Sequence, residues 1–112
     1  MSKLKDKECE LCTSRVKSLS IKDIESIKKE IPEWSVVFTH NIIKIQRKYK
    51  FNNFNQAIKF SSSIAVMAES QNHHPEMLIE WGAVTVTWWT HSIDGLHIND
   101  FICAAKTDNL FN

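Results

Sequence analysis

The sequence predicts an α+β domain: a two-layer sandwich whose four-stranded antiparallel sheet carries helices on one face, in the order α-β-β-α-β-β-α. Three observations predict it. Two pairs of β-rich runs, within residues 34–50 and 77–91, are each broken by a short turn signal, His40-Asn41 in the first and Gly82 in the second. Each pair therefore reads as a hairpin. Amphipathic stretches with apolar residues at helical spacing precede, separate and follow the two hairpins. Hairpin-linked strands make an antiparallel sheet, and the helices then have one apolar face to cover. A chain of 112 residues is long enough for one such core and too short to divide.

Residues 1–19 are rich in charge and poor in apolar periodicity, and read as an N-terminal tail or lead-in; residues 20–112 read as a single domain. The lead-in contains Cys9-Glu10-Leu11-Cys12, a C-x-x-C pair. A zinc site needs two further ligands at suitable spacing, and a redox pair is expected beside a βαβ unit. Neither context is present, so the pair stays outside the expected site.

Ser20 opens the first helix with Asp23 as capping-box partner; Ile21, Ile24, Ile27 and Ile31 recur on one side until Pro32 ends it. In the run Ile42–Lys50, Ile43, Ile45 and Tyr49 share one side, and Lys44, Gln46, Lys48 and Lys50 form an opposite, solvated one. Asn53 caps a long second helix, with Gln56 reciprocating and a stripe of Phe54, Ala57, Ile58, Ser61, Ile64, Ala65 and Ala68. In the second hairpin Val84, Val86 and Trp88 point one way, and Ala83, Thr85, Thr87, Trp89 and His91 the other. Asp94-Gly95 marks a turn before a last helix, Ile98 to Leu110, with Ile98, Phe101, Ile102 and Ala105 inward and Cys103 as a small filler. Such a sheet keeps two edges, which invite pairing between subunits.

Composition narrows the function classes. Fourteen basic and thirteen acidic residues leave a net charge of +1, which gives no electrostatic case for a nucleic-acid partner. Apolar runs of a few residues fall far short of the roughly 20 needed to cross a bilayer. The first residues lack the apolar core of a signal peptide, and three cysteines, an odd number, suit a reducing compartment; both point to the cytoplasm.

The chemistry gathers around Glu69-Ser70-Gln71-Asn72-His73-His74-Pro75 and Thr90-His91, which hold three of the five histidines. His73 and His91 each lie nine positions from Gly82, so closing the hairpin is expected to bring the two imidazoles face to face. Histidine donates and accepts protons near neutrality, and three around one cavity can protonate one substrate atom while deprotonating another. His73 follows a helix C-terminus, where the dipole favours a cation, and Glu69 four residues earlier is expected to pair with it. Pro75 holds His74 extended. His40 and His97 read as structural or solvated. A three-histidine metal site is the sharper rival, although ligating imidazoles have firm partners behind them and Glu69 is the one evident candidate.

The spaced set Glu69, His73-His74-Pro75, Trp81, His91 and Asp100 resembles the signature of the pterin-4a-carbinolamine dehydratases. The resemblance implies dehydration of a 4a-hydroxytetrahydropterin to the quinonoid dihydropterin, recycling the cofactor of aromatic amino acid hydroxylases such as phenylalanine hydroxylase. It implies His73, His74 and His91 as catalytic groups, with Glu69 and Asp100 as supporting acids. It also implies Pro75, Thr90, Ser92, Ile93 and Trp34 as substrate-binding residues. Neither a metal nor an organic cofactor is called for, and a homo-oligomer, dimer or tetramer, is expected. Two other functions compete: a non-catalytic dimerisation or transcriptional coactivator module, and a histidine-based metal-binding protein. The chain departs from the family pattern at three places. Met77 stands where an aromatic residue is common, Trp89 is bulkier than expected beside Thr90, and His97 replaces a Ser or Thr and is expected to weaken the last helix cap opposite Asp100.

Overall fold

Two tight turns build the sheet. In the computed structural model, which describes residues 3–10 and 18–112, strands β1 (Ser35–Thr39) and β2 (Ile42–Lys50) flank His40 and Asn41 at φ 52° and 62°. Two successive left-handed residues match the twist of antiparallel strands, and asparagine tolerates that region better than most. Strands β3 (Glu76–Glu80) and β4 (Ala83–Trp88) flank Trp81 and Gly82. Gly82 serves close approach here: its carbonyl accepts from the Phe51 N–H at 2.8 Å, and an added Cβ would lie 3.1 Å from the Phe51 oxygen. The antiparallel sheet runs β1-β2-β4-β3, with Ile45 opposite Trp88 and Tyr49 opposite Val84 at its centre.

Helices α1 (Ile21–Lys28), α2 (Phe54–Gln71) and α3 (Ile98–Phe111) complete the domain. Ser20 and Asn53 are the N-caps, as expected, but Gln56 reciprocates one residue earlier than a capping box requires. Ser20 Oγ accepts from the Asp23 N–H, and Asn53 Oδ1 from the Gln56 N–H at 2.9 Å, while Gln56 Oε1 accepts from Asn52. Ala57, Phe60, Ile64 and Ala68 of α2, with Phe101, Ile102 and Ala104 of α3, pack on a core shared with Ile45, Tyr49, Val84, Val86 and Trp88. On the opposite sheet face Gln46 donates to Thr87 Oγ1 across β2 and β4 at 2.9 Å.

Several elements differ in detail from expectation. Helix α1 stops at Lys28, so Ile31 is buried outside it while Ile21 is exposed. The buried stripe of α2 is rotated to include Phe60, whose ring meets Tyr49 at 4.7 Å, and to leave Phe54 and Ile58 exposed. Aromatic partners from β2 and α3 set that rotation, and helical spacing alone does not reveal them. Lys44, expected in solvent, is 6% exposed, with Nζ 4.0 Å from the Trp89 ring centroid. Trp89 shields the ammonium and attracts it through its π face. Where it is described, the lead-in packs on the domain. Leu4 is buried in a 3₁₀ turn (Leu4–Asp6), and Lys106 Nζ donates to the Lys5 carbonyl. One leucine among charges makes no period, so pattern reading passes over it. Cys12 lies outside the described residues. No helix among the described residues is long and apolar enough to cross a membrane.

Candidate active site

Helix α2 ends because Asn72 turns left-handed, at φ 51°. The His73 N–H then bonds back to the Ala68 carbonyl at 3.2 Å, which seals the last turn and sends the chain toward β3. At this corner a cavity of about 200 Å³ is lined by Asn72, His73, His74, Thr90, His91 and Ser92. The three catalytic candidates are thus brought together. They do not sit squarely opposite one another as the nine-residue symmetry suggested. The hairpin centre lies between Trp81 and Gly82, since Glu76 pairs with Thr87, and continuing that register sets His73 across from Thr90.

His73 forms the floor. Its ring lies parallel to the Trp88 indole, and Nε2 is 2.6 Å from Asp100 Oδ1. Asp100, wholly buried, is held in turn by the Thr90 hydroxyl on Oδ2 at 2.8 Å and by the His97 N–H at 3.0 Å. Burial opposes a charge on His73, but the hydrogen bond and charge of Asp100, helped by Cys9, outweigh it and raise the imidazole above its ordinary pKa.

The other two histidines are exposed on the rim. Glu69 pairs with His74 at 3.3 Å, and not with His73 as expected. The left-handed turn at Asn72 directs the His73 ring inward to Trp88, leaving the next side chain over the helix end where Glu69 stands. His91 opens a 3₁₀ turn (His91–Ile93), and its ring centroid lies 4.3 Å from that of Trp89. Lys44 and His91 therefore both contact the Trp89 ring.

Of the expected substrate-binding residues, Thr90 and Ser92 line the cavity, while half-buried Pro75 and Ile93, next in the chain to His74 and Ser92, do not line it. Trp34 is elsewhere. It is 1% exposed in the core, and its Nε1 donates to Asp108 Oδ1, which also accepts from Arg47 and Tyr49. Its bulk belongs to the sheet–helix interior, which a motif comparison does not register. His97 does not weaken the last helix: its Nδ1 accepts from the Asn99 N–H at 3.2 Å in a capping box with Asp100. His40 lies exposed in the β1–β2 turn.

Sequence reading missed the part played by Trp88, whose inward direction was legible but whose stacking on His73 was not. It also missed Asn99, 1% exposed, which exchanges two hydrogen bonds of 2.8 Å with the Glu10 backbone. Among the described residues no three histidine, cysteine or acidic side chains are grouped as a metal ion would require.

A four-stranded antiparallel sheet backed by helices defines a class of small α+β proteins that has solved members. The transcriptional coactivator/pterin dehydratase from Brucella melitensis superposes with a TM-score of 0.77 at 27% identity, covering 85% of this chain and 99% of that one. A pterin dehydratase-like protein described as a RuBisCO assembly factor in the alpha-carboxysome shares the fold at a TM-score of 0.57 and 19% identity, covering 68% of this chain and 88% of that one. The family model of pterin 4 alpha carbinolamine dehydratase matches residues 17–110. A protein of Chlorobium luteolum provisionally named pterin-4-alpha-carbinolamine dehydratase is 42% identical over 111 residues, covering 99% of this chain and 97% of its own. Another of the same provisional name, from Vibrio cholerae serotype O1, is 46% identical over 107 residues, covering 96% and 98%. The chain belongs to the pterin-4a-carbinolamine dehydratase family, and is accordingly a dehydratase of the lyase class.

Proposed function

We propose that the chain expels water from a 4a-hydroxytetrahydropterin by histidine acid–base catalysis, yielding the quinonoid dihydropterin that an aromatic amino acid hydroxylase needs returned. The observation that supports this most is His73, clamped between Trp88 and Asp100 beneath a cavity with His74 and His91 on its rim. Asp100 engages Nε2, which leaves Nδ1 for the substrate. An imidazolium favoured by a buried carboxylate is suited to protonate the departing 4a-oxygen. The C4a–O bond breaks, the N5 lone pair forms the N5=C4a bond, and a second imidazole, His74 or His91, takes the N5 proton. Acid–base assistance of this kind is worth about 10²–10⁴-fold. Thr90 and Ser92 are the proposed ring-contacting residues, with Pro75 fixing the direction of His74.

Assembly into a homo-oligomer is part of this reading. Strands β1 and β3 are the sheet's outer strands, and Phe38 and Leu78 on them are 69% and 59% exposed. A non-catalytic interaction role competes, because the Brucella neighbour is described as a transcriptional coactivator as well as a dehydratase. The deciding experiment adds purified protein to freshly generated 4a-hydroxytetrahydropterin and follows water loss by ultraviolet absorbance. Acceleration over the uncatalysed rate, lost in His73→Ala, supports the enzyme reading; a rate equal to buffer sinks it.

A further inference from the structure

Near His73 and Asp100, outside the cavity lining, two cysteines far apart in sequence meet. Cys9 Sγ lies 3.4 Å from Cys103 Sγ. Cys103 is fully buried on α3, one turn beyond Asp100, whereas Cys9 is half-buried in a stretch outside any helix or strand. Its neighbours form a clasp over the corner that carries the site. The Cys9 N–H donates to Gln71 Oε1 at 2.8 Å, and Gln71 Nε2 donates to Glu8 Oε2 at 2.6 Å. Glu10 is joined by its backbone to Asn99, and its carboxylate stands 3.7 Å from His97 Nε2. Residues 8–10 thus tie the last residue of α2 to the first turn of α3, the two elements that present His73 and Asp100.

We propose that Cys9 and Cys103 are a redox-responsive dithiol, which a peroxide converts to a disulfide that fastens the N-terminal segment to α3. A bonded pair needs about 2.05 Å between sulfurs, so the thiols must close by about 1.4 Å. Cys9 lies outside any helix or strand, and the bonds that hold residues 9 and 10 come from the side chains of Gln71 and Asn99, which can follow that shift. The pair is also chemically unequal. A hydrogen bond from the Cys103 thiol, outweighing burial, holds Cys9 below the usual thiol range, while the same contact and burial raise Cys103. Cys9 is therefore the attacking thiolate. It displaces hydroxide from hydrogen peroxide as S–O forms and O–O breaks, leaving a sulfenic acid and, after protonation, one water. Cys103 sulfur then attacks Cys9 sulfur; S–S forms, S–O breaks, and the Cys103 proton leaves with the hydroxyl as a second water. Two thiols lose two electrons, and one peroxide gains them.

The test uses the full chain and its Cys12→Ser variant, each reduced, desalted, exposed to stoichiometric hydrogen peroxide, and then mapped as unreduced peptides by mass spectrometry. The expected result is loss of two thiols in each and a peptide joining Cys9 to Cys103, two hydrogens lighter than its parts. Hydrogen exchange of residues 4–10 should slow by about tenfold or more on oxidation and recover with dithiothreitol. A Cys9–Cys12 link in the full chain, or free thiols that persist in Cys12→Ser, overturns the proposal: the cysteine contact is then packing alone. Cys103→Ala should abolish the slowing. If that variant fails to fold, Cys9→Ser serves instead, since it leaves the buried thiol in place.

Discussion

The His73 imidazole lies 7° from parallel with the Trp88 indole, their centroids 5.5 Å apart. Stacking fixes the plane of the ring and Asp100 fixes its rotation within that plane, so the imidazole is oriented before any substrate arrives. Preorganisation of this kind matters more for catalysis than the added stability.

Removing the ring tests its role directly. His73→Ala should lower kcat/KM by about 10²–10⁴-fold, while circular dichroism shows the same fold. Full activity in a His73→Ala/His91→Ala double variant would remove the mechanism. His40→Ala, in an exposed turn, should match the parent.

The Asp100 contact also sets a pH dependence of stability. His73 has its pKa raised in the folded state from 6.5. Its contribution is therefore complete below about pH 6.5 and lost as pH rises through the higher folded value. Urea midpoints of the parent should fall across that interval relative to those of Asp100→Asn, in which the anion is gone. Parallel curves for the two proteins would contradict the assigned cause.

Glu69 and His74 pair in the open, with side chains 79% and 54% exposed. Such a pair adds little, so Glu69→Gln should change kcat/KM by no more than roughly threefold and the effect should shrink in salt. His74→Ala should cost more than this, and equality of the two would strip His74 of a proton-transfer role.

Capping by an imidazole makes a further prediction. His97→Ala removes the acceptor for the Asn99 N–H and should destabilise by about 1 kcal/mol, with His97→Ser recovering most of it. Chemical denaturation measures both.

Lys44→Met keeps length and apolar stem while removing the charge above Trp89. A loss of about 0.5–2 kcal/mol is expected, because this cation is nearly out of solvent. An unchanged unfolding midpoint would mean that the ammonium contributes nothing beyond its stem.

Much of this was legible in the chain. Turn residues, caps and alternation carried the sheet and helices because each is a local signal: His40-Asn41, Ser20 and Asn53 act within a few residues of themselves. The gathering of His73, His74 and His91 followed from the hairpin. What escaped depends on contacts between distant segments. Glu69 changed partners because a single left-handed residue, Asn72, rotated everything after it. Trp34 was drawn into the interior by Asp108, and Leu4 and Cys9 found α3 across some ninety residues, relations that periodicity does not encode. Lys44 looked wet because alternation reports direction, while burial depends on the neighbour that leans over.

The bond between the Phe51 amide and the Gly82 carbonyl closes a circuit. From that junction the chain runs outward along α2 to His73 and returns along β3. Both ends of the excursion are anchored, so helix phase becomes a parameter of the chemistry. One residue inserted in α2 would turn its far end by about 100°, swinging His73 away from Asp100 while leaving the hydrophobic composition untouched. The outward-facing side chains of this helix escape that constraint, whereas its length is bound to the contact between His73 and Asp100.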